Sequence, residues 1–491
     1  MGGETREATL APGARERLEI EVPAGEASLR LSADGAADGL FLLGVPRLAA
    51  AAGERRRGPA PPPIVLVTLD TTRRDALGAY GAPPTATPSL DRFAETATVY
   101  EDAISTTSWT LPSHVSMFTG LYPSRHGLGV SRRWLPAEIP TLAGLLRRRG
   151  YTPVGVAGGL LISHRLGGAR DFVAYRDPLG GRESPADRVT DFALRLLDET
   201  EGETPFLFVN YFDPHYRYEA PPEYQERAGV PEARAALRSP FWLRAATGYA
   251  PAWNRLLEGE AELTEPGLAW LRAVYQAEVA FMDAEVGRLF DELRRRSLWD
   301  DALVVVVADH GELLGEGGYL THSYRLDPEL VEVPLLVKVP GQRRGRRMPG
   351  VVSVTDLFPT LLAAAGVTAP PGDGRRLEPG SGRPDRDRRP VLFEEHASRV
   401  HPMMRRTHLY VAHHLWGYQG AGRRAVVWHG GAECRRRDRD GVWRAEECPD
   451  DGARLLAALV ETLGEPPADA AAEGGELSED QRAALEALGY L

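Results

Sequence analysis

Cysteine and lysine are almost missing from this 491-residue chain, which has 2 cysteines and a single lysine, Lys338. Cys434 and Cys448 stand too far apart for a CxxC metal pair. They form one disulfide if the protein is exported and remain two separate thiols if it is cytosolic. No run of eighteen apolar residues occurs, so no transmembrane helix is expected. The start, Met1-Gly2-Gly3-Glu4-Thr5-Arg6, is polar and no apolar core follows, so a secretory signal is missing as well. On the sequence as given the expected location is the cytoplasm, or the periplasm or exterior if the N-terminus is incomplete. Arg6 stands where a myristoylation signal needs Ser or Thr. A basic excess is also lacking: 58 basic residues against 69 acidic ones give −11, which argues against a general nucleic-acid binder. Arginine clusters such as Arg55-Arg56-Arg57 and Arg435-Arg436-Arg437 read as solvated surface. The preference for Arg over Lys, with abundant Ala and Gly, points to a GC-rich bacterial source. At 43% hydrophobic and 26% charged the chain is globular, and it is too long for one ordinary core.

Two strand ends carry the chemistry. Ile64-Val65-Leu66-Val67-Thr68-Leu69 is apolar and β-branched, as in a strand buried on both faces, and it ends in Asp70. Leu303-Val304-Val305-Val306-Val307-Ala308 repeats the pattern and ends in Asp309-His310. In open α/β sheets ligands bind beyond the carboxyl ends of the strands. Carboxylates with one imidazole there suit one divalent cation; the His favours Mn or Zn, with Mg or Ca as alternatives.

A third element is Thr110-Leu111-Pro112-Ser113-His114, followed by an apolar run to Thr119-Gly120. Pro112 suits a first helical turn and Gly120 a helix stop. Val115, Met117 and Phe118 supply a buried face. A hydroxyl at that entrance lies beside unpaired N–H groups and the positive end of the helix dipole, where a phosphate- or sulfate-like anion is held most readily.

These pieces resemble the sulfatase family of the alkaline-phosphatase superfamily. The matching segments run in family order: Val67 to Gly81, Thr87-Pro88-Ser89-Leu90-Asp91, Thr110 to Gly120, and Tyr122 to Gly127. Asp213-Pro214-His215, Asp309 to Glu316, Val333 to Leu336 and Asp356 to Leu362 complete the series. The resemblance implies that Asp70, Thr110, Asp309 and His310 surround one metal, that His215 and His322 act as acids and substrate clamps, and that Arg73 and Asp75 brace the metal loop. A two-metal site is disfavoured because Asp213 and His215 are spaced two apart rather than four.

The departures are informative. Sulfatases carry Cys or Ser, oxidised to formylglycine, at the nucleophile position and Arg four residues on; this chain has Thr110 and His114. Threonine cannot become formylglycine. His114 is expected to line the pocket in place of the Arg, with a catalytic role of its own. The family's Gly-Lys-Trp-His element is missing, the comparable region being Gly155 to His164 with no Lys. A Thr nucleophile resembles the superfamily's phosphodiesterases, phosphonate hydrolases and phosphoethanolamine or phosphoglycerol transferases. The reading is therefore a metal-dependent hydrolase of phosphate diesters or phosphonates acting through a phospho-threonine. The alternatives are a phospho-headgroup transferase, a sulfuric ester hydrolase, and a non-catalytic protein that kept the metal pocket. The partner is a small-molecule, lipid-linked or glycan-linked phosphate or sulfate ester, and the oligomeric state is open.

The expected fold is an alkaline-phosphatase-like α/β sandwich: a central, mostly parallel sheet with helices on both faces. Residues 1–58 read as a small β module with alternating stretches such as Arg17 to Val22. Residues 59–370 form the catalytic α/β domain, with one long helix over Ala269 to Arg296. Residues 371–491 form a smaller antiparallel sheet with strands at Val391 to Glu394 and Leu409 to Ala412, and a terminal helix beginning with the capping signal at Leu477-Ser478.

Overall fold

The computed structural model describes residues 61–448 except 84–85, 129–133, 164–169, 178–182, 246–254, 256–261, 382–390, 396–414, 421, 429–430 and 439. The expected N-terminal β module, the Leu409 to Ala412 strand and the terminal helix lie outside the described residues. Contacts divide the chain between Pro59 and Ala60, and the described residues all belong to the second unit.

At the centre of that unit is an eight-stranded sheet of β1 (Ile64–Leu69), β2 (Thr98–Ile104), β3 (Thr152–Ala157), β4 (Ala174–Arg176), β5 (Pro205–Tyr211), β6 (Leu303–Ala308), β9 (Glu332–Lys338) and β10 (Arg346–Ser353), in the order β10-β2-β9-β6-β1-β5-β3-β4. The pairings are parallel except for β9, which runs against both β2 and β6. β1, β5 and β6 are buried at every residue, which is why they read as unbroken apolar runs. A two-stranded ribbon of β7 (Leu313–Leu314) and β8 (Leu320–Thr321) comes after β6.

The helices cover both faces of this sheet. The long helix runs over Glu265–Arg295, with Thr264 accepting from the Gly267 N–H at its start and Pro266 in the first turn. The expected start at Ala269 misses this cap, a Thr-Glu-Pro signal present in the sequence. The long helix packs with Ala186–Glu199 and Pro88–Ala94. Asp283 projects from it to accept the Ser89 and Leu90 N–H groups at 2.9 and 2.8 Å, capping the shorter helix from outside. The helices Thr110–Thr119, Leu142–Arg148 and Leu357–Ala364 form another packed set.

A second, antiparallel sheet holds β11 (Val391–Glu395), β12 (Leu415–Gly420), β13 (Arg423–Trp428), β14 (Gly431–Arg437) and β15 (Trp443–Glu446) in that order. Gly441, at φ 82°, makes the turn between β14 and β15, as its Asp-Gly pair suggests. Cys434 and Cys448 are joined as a disulfide. The two sheets meet at Glu332, which is almost fully buried. Its carboxylate binds Arg74 at 2.7 Å, Arg437 through two contacts of 3.1 Å, Trp443 Nε1 at 2.7 Å and Gln419 Nε2 at 3.0 Å. Among the described residues no helix is long and apolar enough to cross a membrane.

Candidate functional site

The site follows from strand register. Leu69 pairs with Tyr211 on one side and Ala308 on the other. Asp70 and Asp309 are the next residues past β1 and β6, so parallel pairing alone places them about one strand spacing, ~4.8 Å, apart. Asp70, Asp309 and His310 are fully buried, and each offers a ligand atom within 4.8 Å of the others.

Their hydrogen bonding is incomplete in one direction. Asp309 Oδ1 accepts the His310 N–H at 2.8 Å and the Thr71 N–H at 3.2 Å. Asp309 Oδ2 and both Asp70 oxygens have no hydrogen-bond partner among the described residues. Burial and the neighbouring Asp309 carboxylate push Asp70 well above the usual carboxylate range, and burial lifts Asp309 to about 6. Two buried carboxylates side by side are costly without a counter-charge. His310 donates Nδ1–H to the Gly311 carbonyl at 2.9 Å, which leaves Nε2 as the acceptor nitrogen, 3.6 Å from Asp309 Oδ2. Burial lowers His310 to about 3, so the ring stays neutral, as a metal ligand must. Orphaned carboxylate oxygens and a neutral imidazole fit one divalent cation. Gly311 belongs to the same turn: a Cβ there would stand 1.9 Å from the Glu329 carbonyl oxygen.

Thr110 is the first residue of its helix, and Trp109 at the N-cap supplies no side-chain cap. Thr110 Oγ1 lies 3.2 Å from His310 Nε2. The helix is fixed from several sides. Ser113 Oγ donates to the Asp309 carbonyl at 2.8 Å, Thr106 Oγ1 donates to Ser116 Oγ at 3.0 Å, and His126 Nε2 reaches the Pro112 carbonyl at 3.2 Å. Gly120, at φ 70°, ends it. All ten residues are buried, so the helix runs through the interior instead of showing the one-sided burial that its apolar positions suggest.

His114, expected to line the pocket, lies beside Asp309. It is wholly buried, donates Nδ1–H to the Thr110 carbonyl at 2.8 Å and accepts from Thr68 Oγ1 at 3.0 Å. Thr68 in turn accepts from Asn210 Nδ2 at 3.2 Å. Burial lowers the His114 pKa, and the neutral ring stands 3.5 Å from Asp309 Oδ2. A ring whose two nitrogens are committed inside the core braces the helix and the carboxylate.

His322 packs beside His310, and His215 beside His322. The His215 and His322 ring centres are 5.0 Å apart, and that of His322 is 4.5 Å from His310. His322 Nδ1 donates to Glu312 Oε1 at 2.9 Å, while burial raises the Glu312 carboxyl to about 7. Phe212 stacks on His215 at 4.2 Å. His215 and His322 are both almost completely buried. Arg73 grips both Asp75 oxygens at 2.9 and 2.7 Å and reaches Glu316 at 2.7 Å. Tyr275 of the long helix accepts the Arg73 N–H at 2.8 Å and donates to the Thr71 carbonyl at 2.9 Å, pinning the loop after Asp70.

Sequence reasoning missed Asn210, Glu312 and Tyr275. Asn210 had a signal: it is the polar residue in an apolar strand, one register step before the strand end that faces Asp70. Its Nδ2–H donates to Thr68 Oγ1, which in turn holds His114. Tyr275 carried no local signal, since a tyrosine in a helix is ordinary core.

With this geometry, residues 62–367 match the family model for Sulfatase. The chain is 26% identical over 350 residues to the ulvan-active sulfatase of Formosa agariphila, covering 65% of this chain and 64% of that protein. It therefore spans somewhat under two thirds of that relative. It is also 26% identical over 425 residues to a multifunctional alkaline phosphatase superfamily protein of Trinickia caryophylli, covering 67% and 79% of the two. Among solved structures, the phosphonate monoester hydrolase of Agrobacterium radiobacter aligns with a TM-score of 0.64 at 20% identity, over 82% of this chain and 94% of that one.

Proposed function

Since the chain belongs to the sulfatase family of the alkaline phosphatase superfamily, whose members hydrolyse sulfate or phosphate esters, we propose that it is a metal-dependent phosphoesterase with Thr110 as nucleophile. Its substrates are phosphate diesters or phosphonate monoesters. The observation that carries this reading is the placement of Thr110 Oγ1, 3.2 Å from His310 Nε2 at an uncapped helix mouth beside the orphaned oxygens of Asp70 and Asp309. A threonine there excludes the formylglycine route and leaves a hydroxyl as the attacking group.

Asp70, Asp309 and His310 would hold one divalent ion, with Mn or Zn favoured by the imidazole and Mg or Ca as alternatives. Bound there, it supplies positive charge that lowers the Thr110 pKa and offsets the charge on the non-bridging oxygens. Thr110 Oγ1, its proton lost to solvent, forms the bond to phosphorus as the bond to the leaving alcohol breaks, giving a phospho-threonine. The leaving oxygen takes its proton from solvent, because burial lowers His215 and His322 to about 3 and each ring gives its one N–H to Tyr216 or Glu312, and water then hydrolyses the phospho-threonine. The helix-mouth N–H groups steady the transferring group. Glu312 fixes which His322 nitrogen faces the site, and His114 holds Asp309 and the helix.

The sulfatase relatives favour a second reading, hydrolysis of sulfate esters. A panel of p-nitrophenyl phosphate monoester, diester, phosphonate and sulfate with added Mn or Zn separates the two. Wild type should turn over the diester or phosphonate fastest, and Thr110→Ala should lose at least about a thousandfold in kcat. Dominant sulfate turnover that survives in Thr110→Ala would overturn the proposal. An acceptor alcohol added to the same assay tests for a transferred product.

A further inference from the structure

The second sheet reaches into the site through one side chain. Glu395, the last residue of β11, is almost completely buried, and its Oε2 accepts three hydrogen bonds: from Thr107 Oγ1 at 2.8 Å, from the Ser108 N–H at 3.1 Å and from Ser108 Oγ at 2.6 Å. All three donors lie within three residues of Thr110. The neighbouring Glu394 N–H binds the Thr106 carbonyl at 2.8 Å, so the end of β11 runs along this loop. On its other side the loop carries the next link: the Ser323 N–H, adjacent to His322, donates to the Ser108 carbonyl at 3.1 Å.

We infer that Glu395 is a positioning residue that sets the Thr106–Trp109 loop, and through it the direction of Thr110 Oγ1 and the height of His322. Ser and Thr beside a helix start ordinarily turn their hydroxyls onto the first N–H groups of the helix and cap it. Here Glu395 takes the Thr107 and Ser108 hydroxyls, and the N-cap position falls to Trp109, which supplies no side-chain cap. The carboxylate thereby keeps the helix mouth from being closed by the chain's own hydroxyls. A carboxylate is suited to this, because a single oxygen can accept several strong, short hydrogen bonds. The catalytic side of this inference rests on Thr110 being the nucleophile; the structural side, control of the loop by Glu395, does not.

The experiment compares wild type with Glu395→Gln and Glu395→Ala, all metal-loaded, by kinetics and hydrogen exchange. In kinetics on the best ester of the panel, kcat should fall about tenfold in Glu395→Gln and further in Glu395→Ala, with KM within about twofold of wild type. Glutamine keeps an acceptor oxygen and so should hold part of the loop. Hydrogen exchange in peptides covering 105–111 should speed up in the same order, at least tenfold in Glu395→Ala, while peptides covering 415–437 of the second sheet exchange as in wild type. Exchange rising equally in both regions would make Glu395 a structural contact of its own sheet and overturn the inference, as would unchanged kcat and unchanged exchange at 105–111. If wild type turns over no ester, the proposed function fails while the exchange arm still decides whether Glu395 controls the loop.

Discussion

At the residue scale the site is a set of buried charges left for a ligand to settle. Asp70 and Asp309 cannot both ionise cheaply beside each other, so a bound cation should stabilise the fold as well as activate Thr110. Titrating Mn or Zn to about a hundred times its Kd should raise stability by about 2.7 kcal/mol, read as a higher Tm that chelator reverses. Asp309→Asn should lose most of that metal-dependent rise and nearly all turnover. A second carboxylate pair is Asp213 and Glu278. Burial pushes Asp213 up to about 6, and burial with the nearby Asp213 carboxylate raises Glu278 well above its usual range. Acids whose folded pKa is raised bind protons more tightly when folded, so their contribution is full below the unfolded value near 4 and declines up to about 6. Wild-type Tm should carry this decline over pH 4 to 6, whereas Glu278→Gln should be flatter and at least as stable at pH 7 to 8. Thermal melts across that range check it.

Elements explain which parts of the sequence could be read. β1 and β6 announced themselves as apolar runs, and Asp70 and Asp309 as polar residues closing them, because burial on both faces leaves no room for polar alternation. Glu332 gave no such sign. It opens β9 as one acid among many, and its partners Arg74, Gln419, Arg437 and Trp443 come from distant parts of the chain. Glu332→Ala should cost about 1–3 kcal/mol, since it removes the shared acceptor of two part-buried arginines that keep only Asp102 as an acidic partner among the described residues, and urea unfolding measures it. The disulfide belongs to the same scale. Cys434 and Cys448 are 14 residues apart, a loop whose closure is worth about 3 kcal/mol, so Cys434→Ser should destabilise the second sheet by about that much. A thiol titration should find no reactive cysteine in the unreduced wild type.

For the whole molecule, the mostly parallel sheet with a smaller antiparallel one was legible from the long apolar runs at 64–69 and 303–308 and the short strand at Val391 to Glu394. The order of strands was not, because pairings such as β1 with β6 join segments more than two hundred residues apart and leave no local trace. The same holds for Glu395, whose hydrogen bonds to Thr107 and Ser108 appear only once the second sheet is seated on that loop. Lys338, at the end of β9, shows what composition alone leaves out. It is buried, donates to the Trp299 carbonyl at 2.7 Å and sits 5.3 Å from that ring's centre. Because no other lysine exists in the sequence, the folded exterior offers amine-reactive dyes, crosslinkers and coupling resins no side chain to attack. A succinimidyl ester should therefore leave Lys338 unmarked in the folded chain and mark it once the chain is unfolded, read by mass spectrometry of the peptide that carries it.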